Sequence, residues 1–310
     1  MIAANDFIWG TGMTPLVIEA AINGMTPRTH NPHVPKTPHE VAADAIECLD
    51  AGATVIHSHI EQLSILGRPA ADEYIAAYRA IVAARPDAIL CPTAGAGGTL
   101  NERWAHTEMI AESGLIKMSV LDPGCINICN SGENGLPGSF RGVYAVPFEE
   151  IEYLLDLMGR HRLGPSIAVY DPSYLQTTLA YHKAGRLPPG AMVKIYFAGD
   201  HNFADFKKGG FKFFSMNPTR KAFDAYVEML EGSGLAWCVA VPGGDVTATG
   251  MARLAIKQGG HVRIGLEDHA GDSKPSNREL IEQVVAIARA VDRPIATSAQ
   301  AAEIMGLPRR

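Results

Sequence analysis

The chain has 310 residues, 47% of them hydrophobic and 19% charged, with a formal net charge of −6. Its acids and bases are interspersed, which argues against a nucleic-acid footprint, and no apolar stretch approaches the about 20 residues of a membrane span. Five scattered cysteines (Cys48, Cys91, Cys125, Cys129 and Cys238) make no disulfide framework and fit a reducing, cytoplasmic setting.

The opening MIAANDFIWGTGMTP lacks the charged-then-apolar order of a signal peptide. Short apolar runs follow at 16–22, 54–59, 88–93, 116–121, 167–170, 192–197, 237–241 and 262–266, mostly without clean alternation, as expected of strands buried on both faces. Gly10-Thr11-Gly12 stands before the first run. The phosphate turn of a doubly wound sheet would come after it. Thr37-Pro38-His39-Glu40 reads as a capping box with proline at the first helical position, opening a helix to Ala51 that Gly52 stops.

The second run ends in His57-Ser58-His59. The third ends at Thr93 and passes into Ala94-Gly95-Ala96-Gly97-Gly98, whose amides either cradle an anion or simply close a tight turn. Thr99-Leu100-Asn101-Glu102 opens the next helix, and Asp122 follows the fourth run. Cys125 and Cys129, with three residues between them rather than two, read as incidental thiols.

Asp171, His201 and Asp245 follow the fifth, sixth and seventh runs as weaker site candidates. Segment 199–219, with Lys207, Lys208, Lys212 and many aromatics, is a long loop of the kind used as a lid or binding loop. Its lysines, with Arg220, either meet phosphate groups or form a solvated face. The eighth run ends in Glu267-Asp268, and Ser276-Asn277-Arg278-Glu279 opens a helix through Ala290. Strand and helix alternating eight times predict a single-domain α/β fold, a (β/α)8 TIM barrel over residues 1–310, with its site at the C-terminal ends of the strands.

Side chains alternate faces along a strand, so His57 and His59 point the same way. A lone histidine near a strand end is more often structural. Two at this spacing, joined by a carboxylate from another strand end, give a three-ligand site with an open position, the usual form of catalytic zinc. Glu267 and Asp268 are adjacent and, on a strand, face opposite ways, so one could ligate while the other serves as base. Arg263, four residues before Glu267, shares its parity but lies deeper. It either fixes a substrate carboxylate or neutralises Glu267 or Asp268. Thr93 either bonds a substrate oxygen or caps its turn.

These residues carry a resemblance. Segments 19–24 (EAAING), 31–40 (NPHVPKTPHE), 51–59 (AGATVIHSH), 259–268 (GGHVRIGLED) and 296–307 (ATSAQAAEIMGL) are similar to the β-keto acid cleavage enzymes, the group that includes 3-keto-5-aminohexanoate cleavage enzyme. The resemblance covers nearly the whole chain. It implies a zinc-dependent barrel, tending to homo-oligomers, that condenses a β-keto acid with acetyl-CoA to give acetoacetate and a new acyl-CoA. By position, it makes His57, His59 and Glu267 the zinc ligands, Asp268 the general base and Arg263 the substrate-side arginine. Thr93 falls where the family has a serine near the substrate.

The chain departs from that pattern at Val120 (a family threonine), Ala168 (a glutamate), Glu61 (often an arginine) and Thr26 (the amine-recognising glutamate). After the seventh run it reads Val241-Pro242-Gly243-Gly244-Asp245. These departures imply a substrate other than 3-keto-5-aminohexanoate. They leave open a zinc-dependent C–C lyase, hydrolase or aldolase-like enzyme that does not use CoA, and a non-catalytic binding barrel with a structural metal.

Overall fold

Strands whose residues are nearly all buried can only pair inside a core, and eight of them here pair side by side in parallel. A computed structural model describes residues 13–309, so the readings of the opening segment and of Gly10-Thr11-Gly12 lie outside the described residues, and the 1–310 domain boundary extends past them. The barrel strands are β1 (Ile18–Ala21), β2 (Val55–Ser58), β3 (Ile89–Pro92), β4 (Met118–Leu121), β7 (Gly164–Val169), β8 (Met192–Tyr196), β9 (Ala236–Ala240) and β10 (His261–Ile264). They run in the order β3-β2-β1-β10-β9-β8-β7-β4. At the seam, Lys117 N donates to Leu90 O at 3.3 Å, so the barrel is nearly closed.

Each predicted run overlaps one of these strands. The fifth begins earlier than its apolar stretch, because Gly164-Pro165-Ser166 pairs with β4 despite two residues that usually break strands. The helices α1 (Pro38–Ala51), α2 (Gly67–Ala84), α3 (Leu100–Glu112), α4 (Phe148–His161), α5 (Pro172–Lys183), α6 (Arg220–Leu230), α7 (Met251–Lys257) and α8 (Asn277–Arg289) follow the barrel strands in turn, and α9 (Ser298–Met305) comes last. The capping boxes at Thr37, Thr99 and Ser276 are all formed. Gly52 takes a left-handed conformation at the end of α1, as its position predicts.

One element was not separated in the sequence. Between β4 and α4 an antiparallel hairpin forms from β5 (Cys125–Ser131) and β6 (Pro137–Ala145). Segment 199–219 is fastened to it. Asn202, buried, donates to Cys129 O at 3.0 Å and to Phe211 O at 2.8 Å, and the Asp205 carboxylate accepts from Ser131 N at 2.6 Å. Segment 199–219 reads as a loop and the hairpin carries no signal of its own in sequence, because their partners are each other rather than a periodic core face. Among the described residues no helix is long and apolar enough to cross a membrane.

Candidate active site

His57 is the penultimate residue of β2, and His59 follows just past the strand on the same face, as the period-two argument requires. His57 Nδ1 lies 3.0 Å from the Cys91 carbonyl, which fixes that nitrogen as the N–H donor and turns the lone pair of Nε2 inward. His59 is held by its backbone. Asn23 accepts from His59 N and donates to His59 O, both at 2.9 Å, so the loop after β1 clamps the second imidazole.

Glu267 arrives from the far side of β1. The strand β10 stops at Ile264, and Gly265, with φ 151°, turns the chain so closely over Ala21 that a Cβ there would lie 2.1 Å from the Ala21 carbonyl oxygen. Glu267 and Asp268 therefore sit in a turn, which corrects the expectation of two strand residues facing opposite ways. The turn is pinned from three directions. Asn277 Oδ1 accepts from Leu266 N, Thr26 Oγ1 donates to Leu266 O, and the amide of Gly243 donates to Asp268 O.

The Glu267 side chain then passes over Gly24, whose Cβ would lie 2.3 Å from Glu267 Cγ at a φ of +52°. Gly24→Ala is expected to push the carboxylate aside and to weaken the binding of a metal ion at this site about tenfold or more, a figure typical of a disturbed ligand shell. Competition with a fluorescent chelator measures it, and unchanged affinity would contradict this account of Gly24.

The three inward atoms converge. His57 Nε2 is 3.1 Å from His59 Nε2, and Glu267 Oε2 lies 3.4 Å from the first and 3.5 Å from the second. Ligands at about 2.05 Å around a tetrahedral zinc stand roughly 3.3 Å apart, so the residues fit the ion. Among the described residues Glu267 Oε2 is buried with no hydrogen-bond partner, an orphaned acceptor that a cation would satisfy.

Beneath them Arg263, fully buried, makes four short contacts. Nε donates to Asp268 Oδ2 at 2.8 Å and Nη2 to Asp268 Oδ1 at 3.1 Å, a bidentate grip. Nη2 also lies 2.8 Å from Glu267 Oε1, and Nη1 donates to Glu19 Oε1 at 2.8 Å. Most of its five N–H groups are thus committed inside the protein. The geometry is that of the alternative raised in sequence, an arginine holding Glu267 and Asp268 together.

Burial holds the His57 imidazole well below its usual value, so it is neutral, as a ligand must be. Burial raises the Glu267 carboxyl, but Arg263 and the two imidazoles outweigh it and keep the group well below the usual carboxylate range. For Asp268 burial prevails, helped by the Glu267 charge and opposed by Arg263, and the carboxyl is raised. Two adjacent acids are thereby driven in opposite directions, the pattern that separates a ligand from a base.

Thr93 follows β3, half-buried, with its carbonyl 2.8 Å from His106 Nε2. Asp122 accepts from the Tyr144 hydroxyl at 2.6 Å. Asp171 caps α5, and Asp245 caps its own turn by accepting from Thr247 N and Ala248 N, so both are spent on local structure. The glycine-rich segment 94–98 also spends amides locally, with Gly95 N donating to Arg103 O and Ala96 N to Leu63 O. Lys208 and Lys212 in the long loop and Arg220 at the start of α6 each meet an acid (Asp272, Asp200 and Asp224), solvent-facing pairs of little energetic weight.

Sequence reasoning missed Glu19, Lys194, Asn23 and Asn277. For the first two a signal existed, a single charge inside an otherwise apolar strand run.

The sequence profile of the beta-keto acid cleavage enzyme family matches residues 15–307. The 3-keto-5-aminohexanoate cleavage enzyme of Acetoanaerobium sticklandii is 31% identical over 301 residues, covering 95% of this chain and 99% of that protein. The 3-oxoadipate:acetyl-CoA acetyltransferase of Cupriavidus necator is 29% identical over 300 residues, covering 95% of each. Among solved structures, a ternary complex of ObcA with a C4-CoA adduct and oxalate superposes with a TM-score of 0.63 at 16% identity, over 89% of this chain and 68% of that one, a likeness of fold.

Proposed function

The chain belongs to the β-keto acid cleavage enzymes, and from that premise we propose that it condenses a β-keto acid with acetyl-CoA to give acetoacetate and an acyl-CoA. In this reading His57, His59 and Glu267 hold a zinc ion. The observation that carries it is the triangle of two imidazole nitrogens and an orphaned carboxylate oxygen, 3.1 to 3.5 Å on a side, with Asp268 gripped next to it by Arg263. When bound, zinc supplies Lewis acidity toward a ketone and carboxylate oxygen.

Asp268 removes a proton from the carbon between ketone and carboxylate, and that carbon attacks the acetyl thioester. The CoA thiolate released then attacks the ketone. The bond between the ketone carbon and the proton-donating carbon breaks, leaving acyl-CoA and acetoacetate, and Asp268 returns the proton. Arg263 orients Asp268 and holds Glu267 in its ionised form. Thr93 donates a hydrogen bond to a substrate oxygen.

The substrate is a β-keto acid other than 3-keto-5-aminohexanoate. Thr26, at the family's amine-recognising position, spends its hydroxyl on the Leu266 carbonyl at 2.8 Å and offers no charge to an ammonium group. A relative named as a 3-oxoadipate:acetyl-CoA acetyltransferase supports acetyl-CoA as the co-substrate. Incubation with acetyl-CoA and a panel of β-keto acids, read by mass spectrometry, tests the reading. Acetoacetate and a new acyl-CoA are expected in equal amounts from at least one acid. Cleavage that leaves acetyl-CoA unconsumed would establish instead the CoA-independent lyase or hydrolase.

A further inference from the structure

A lysine crosses the floor of the barrel. Lys194, on β8, is 1% exposed, and its ammonium lies 3.6 Å from Glu19 Oε1 on β1, itself 2% exposed. The two strands are separated by β9 and β10, so the pair spans the interior rather than a single strand gap. Beside Lys194 in register are Ala168 on β7 and Cys238 on β9, small residues that leave the arm room. The same Glu19 oxygen accepts from Arg263 Nη1 at 2.8 Å.

Three carboxylates thus share one guanidinium, Glu267 and Asp268 on one side and Glu19 on the other. A buried ion placed this way is strongly disfavoured unless its charge is met, so the arrangement calls for a purpose. Were Arg263 the only counter-ion of Glu19, the guanidinium would be drawn toward that acid and off the fork that grips Asp268. With Lys194 sharing the load, Glu19 anchors Nη1 without pulling Arg263 away. We propose that Glu19 and Lys194 are positioning residues, which fix the plane of the Arg263 guanidinium and through it the orientation of Asp268 and Glu267.

This rests on the zinc and base roles proposed above. The test uses the full chain as Lys194→Met, Glu19→Gln and the double variant, with thermal midpoint, zinc affinity by chelator competition, kcat and KM measured on each. Lys194→Met strands a buried acid and is expected to lower the midpoint by several degrees. The double variant removes both charges and is expected to recover the midpoint. It should still bind zinc about tenfold more weakly and keep a kcat reduced about tenfold, with KM within about twofold, because a neutral amide does not hold Arg263 as a carboxylate does.

A pair that serves stability alone would regain zinc affinity and kcat together with the midpoint, and that result would overturn the proposal. Should the double variant not fold, Glu19→Gln alone decides. Reduced zinc affinity and kcat support the role, and wild-type values overturn it. Wild-type protein that holds zinc but turns over no β-keto acid would fault the substrate reading, while the zinc affinities still decide the positioning role.

Discussion

Replacing His57 by alanine is expected to yield folded protein that carries no stoichiometric zinc and has no measurable turnover. His57 supplies one corner of the His57–His59–Glu267 triangle, and its Nδ1–H···O bond to Cys91 sets the tautomer that leaves the Nε2 lone pair available to a metal ion. Disturbing groups outside the ligand set of a zinc site already costs 10- to 100-fold in affinity, so losing a ligand should cost at least about 100-fold. Two ligands then remain, and Glu267 keeps its charge through Arg263. Removing a mostly buried imidazole also leaves a void, so circular dichroism must accompany metal analysis by plasma mass spectrometry. Full zinc content in folded His57→Ala protein would remove this residue from the ligand set.

Asp268→Asn is expected to have the second large effect, and it tests the proposed base apart from the proposed ligands. The amide matches the carboxylate in shape but cannot take the α-proton. Only one of its terminal atoms accepts from the Arg263 fork, where Asp268 now uses both oxygens. General-base catalysis contributes roughly 10²- to 10⁴-fold, and a loss of kcat in that range is expected with about one zinc still bound per chain. Turnover within a fewfold of wild type would take the base role from Asp268. Loss of the metal as well would mean that the two adjacent carboxylates act as one ligand unit.

The barrel was legible in the sequence because each of its strands is a compact apolar run and because Thr37, Thr99 and Ser276 mark helix starts by local chemistry. His57 and His59 were legible for the same reason, since spacing within a strand fixes their relation before any tertiary contact forms. Glu267 and Asp268 were found, but their geometry was misjudged. The turn at Gly265 depends on the close approach of Ala21 in a strand more than 240 positions away, which no local pattern reports. Arg263 was legible as a residue and open as to role, because whether its donors face inward or outward is settled by Glu19 and Asp268 together.

The hairpin β5–β6 escaped, and segment 199–219 was legible only as a long loop, because its docking on the hairpin is a tertiary contact that no local pattern reports. Asn23 and Asn277 escaped because an asparagine in a loop or at a helix start is ordinary until its partners are seen: Asn23 spends both polar ends on the His59 backbone, and Asn277 accepts from Leu266 N while donating to Ile22 O.

The most direct measurement is metal content on protein purified without chelator, paired with acetyl-CoA consumption before chelation, after it, and after zinc is returned. About one zinc per chain is expected, with turnover of a β-keto acid lost on chelation and restored by zinc. Protein free of zinc, or turnover that survives full removal of the metal, would contradict the assignment of His57, His59 and Glu267 as the centre of the reaction.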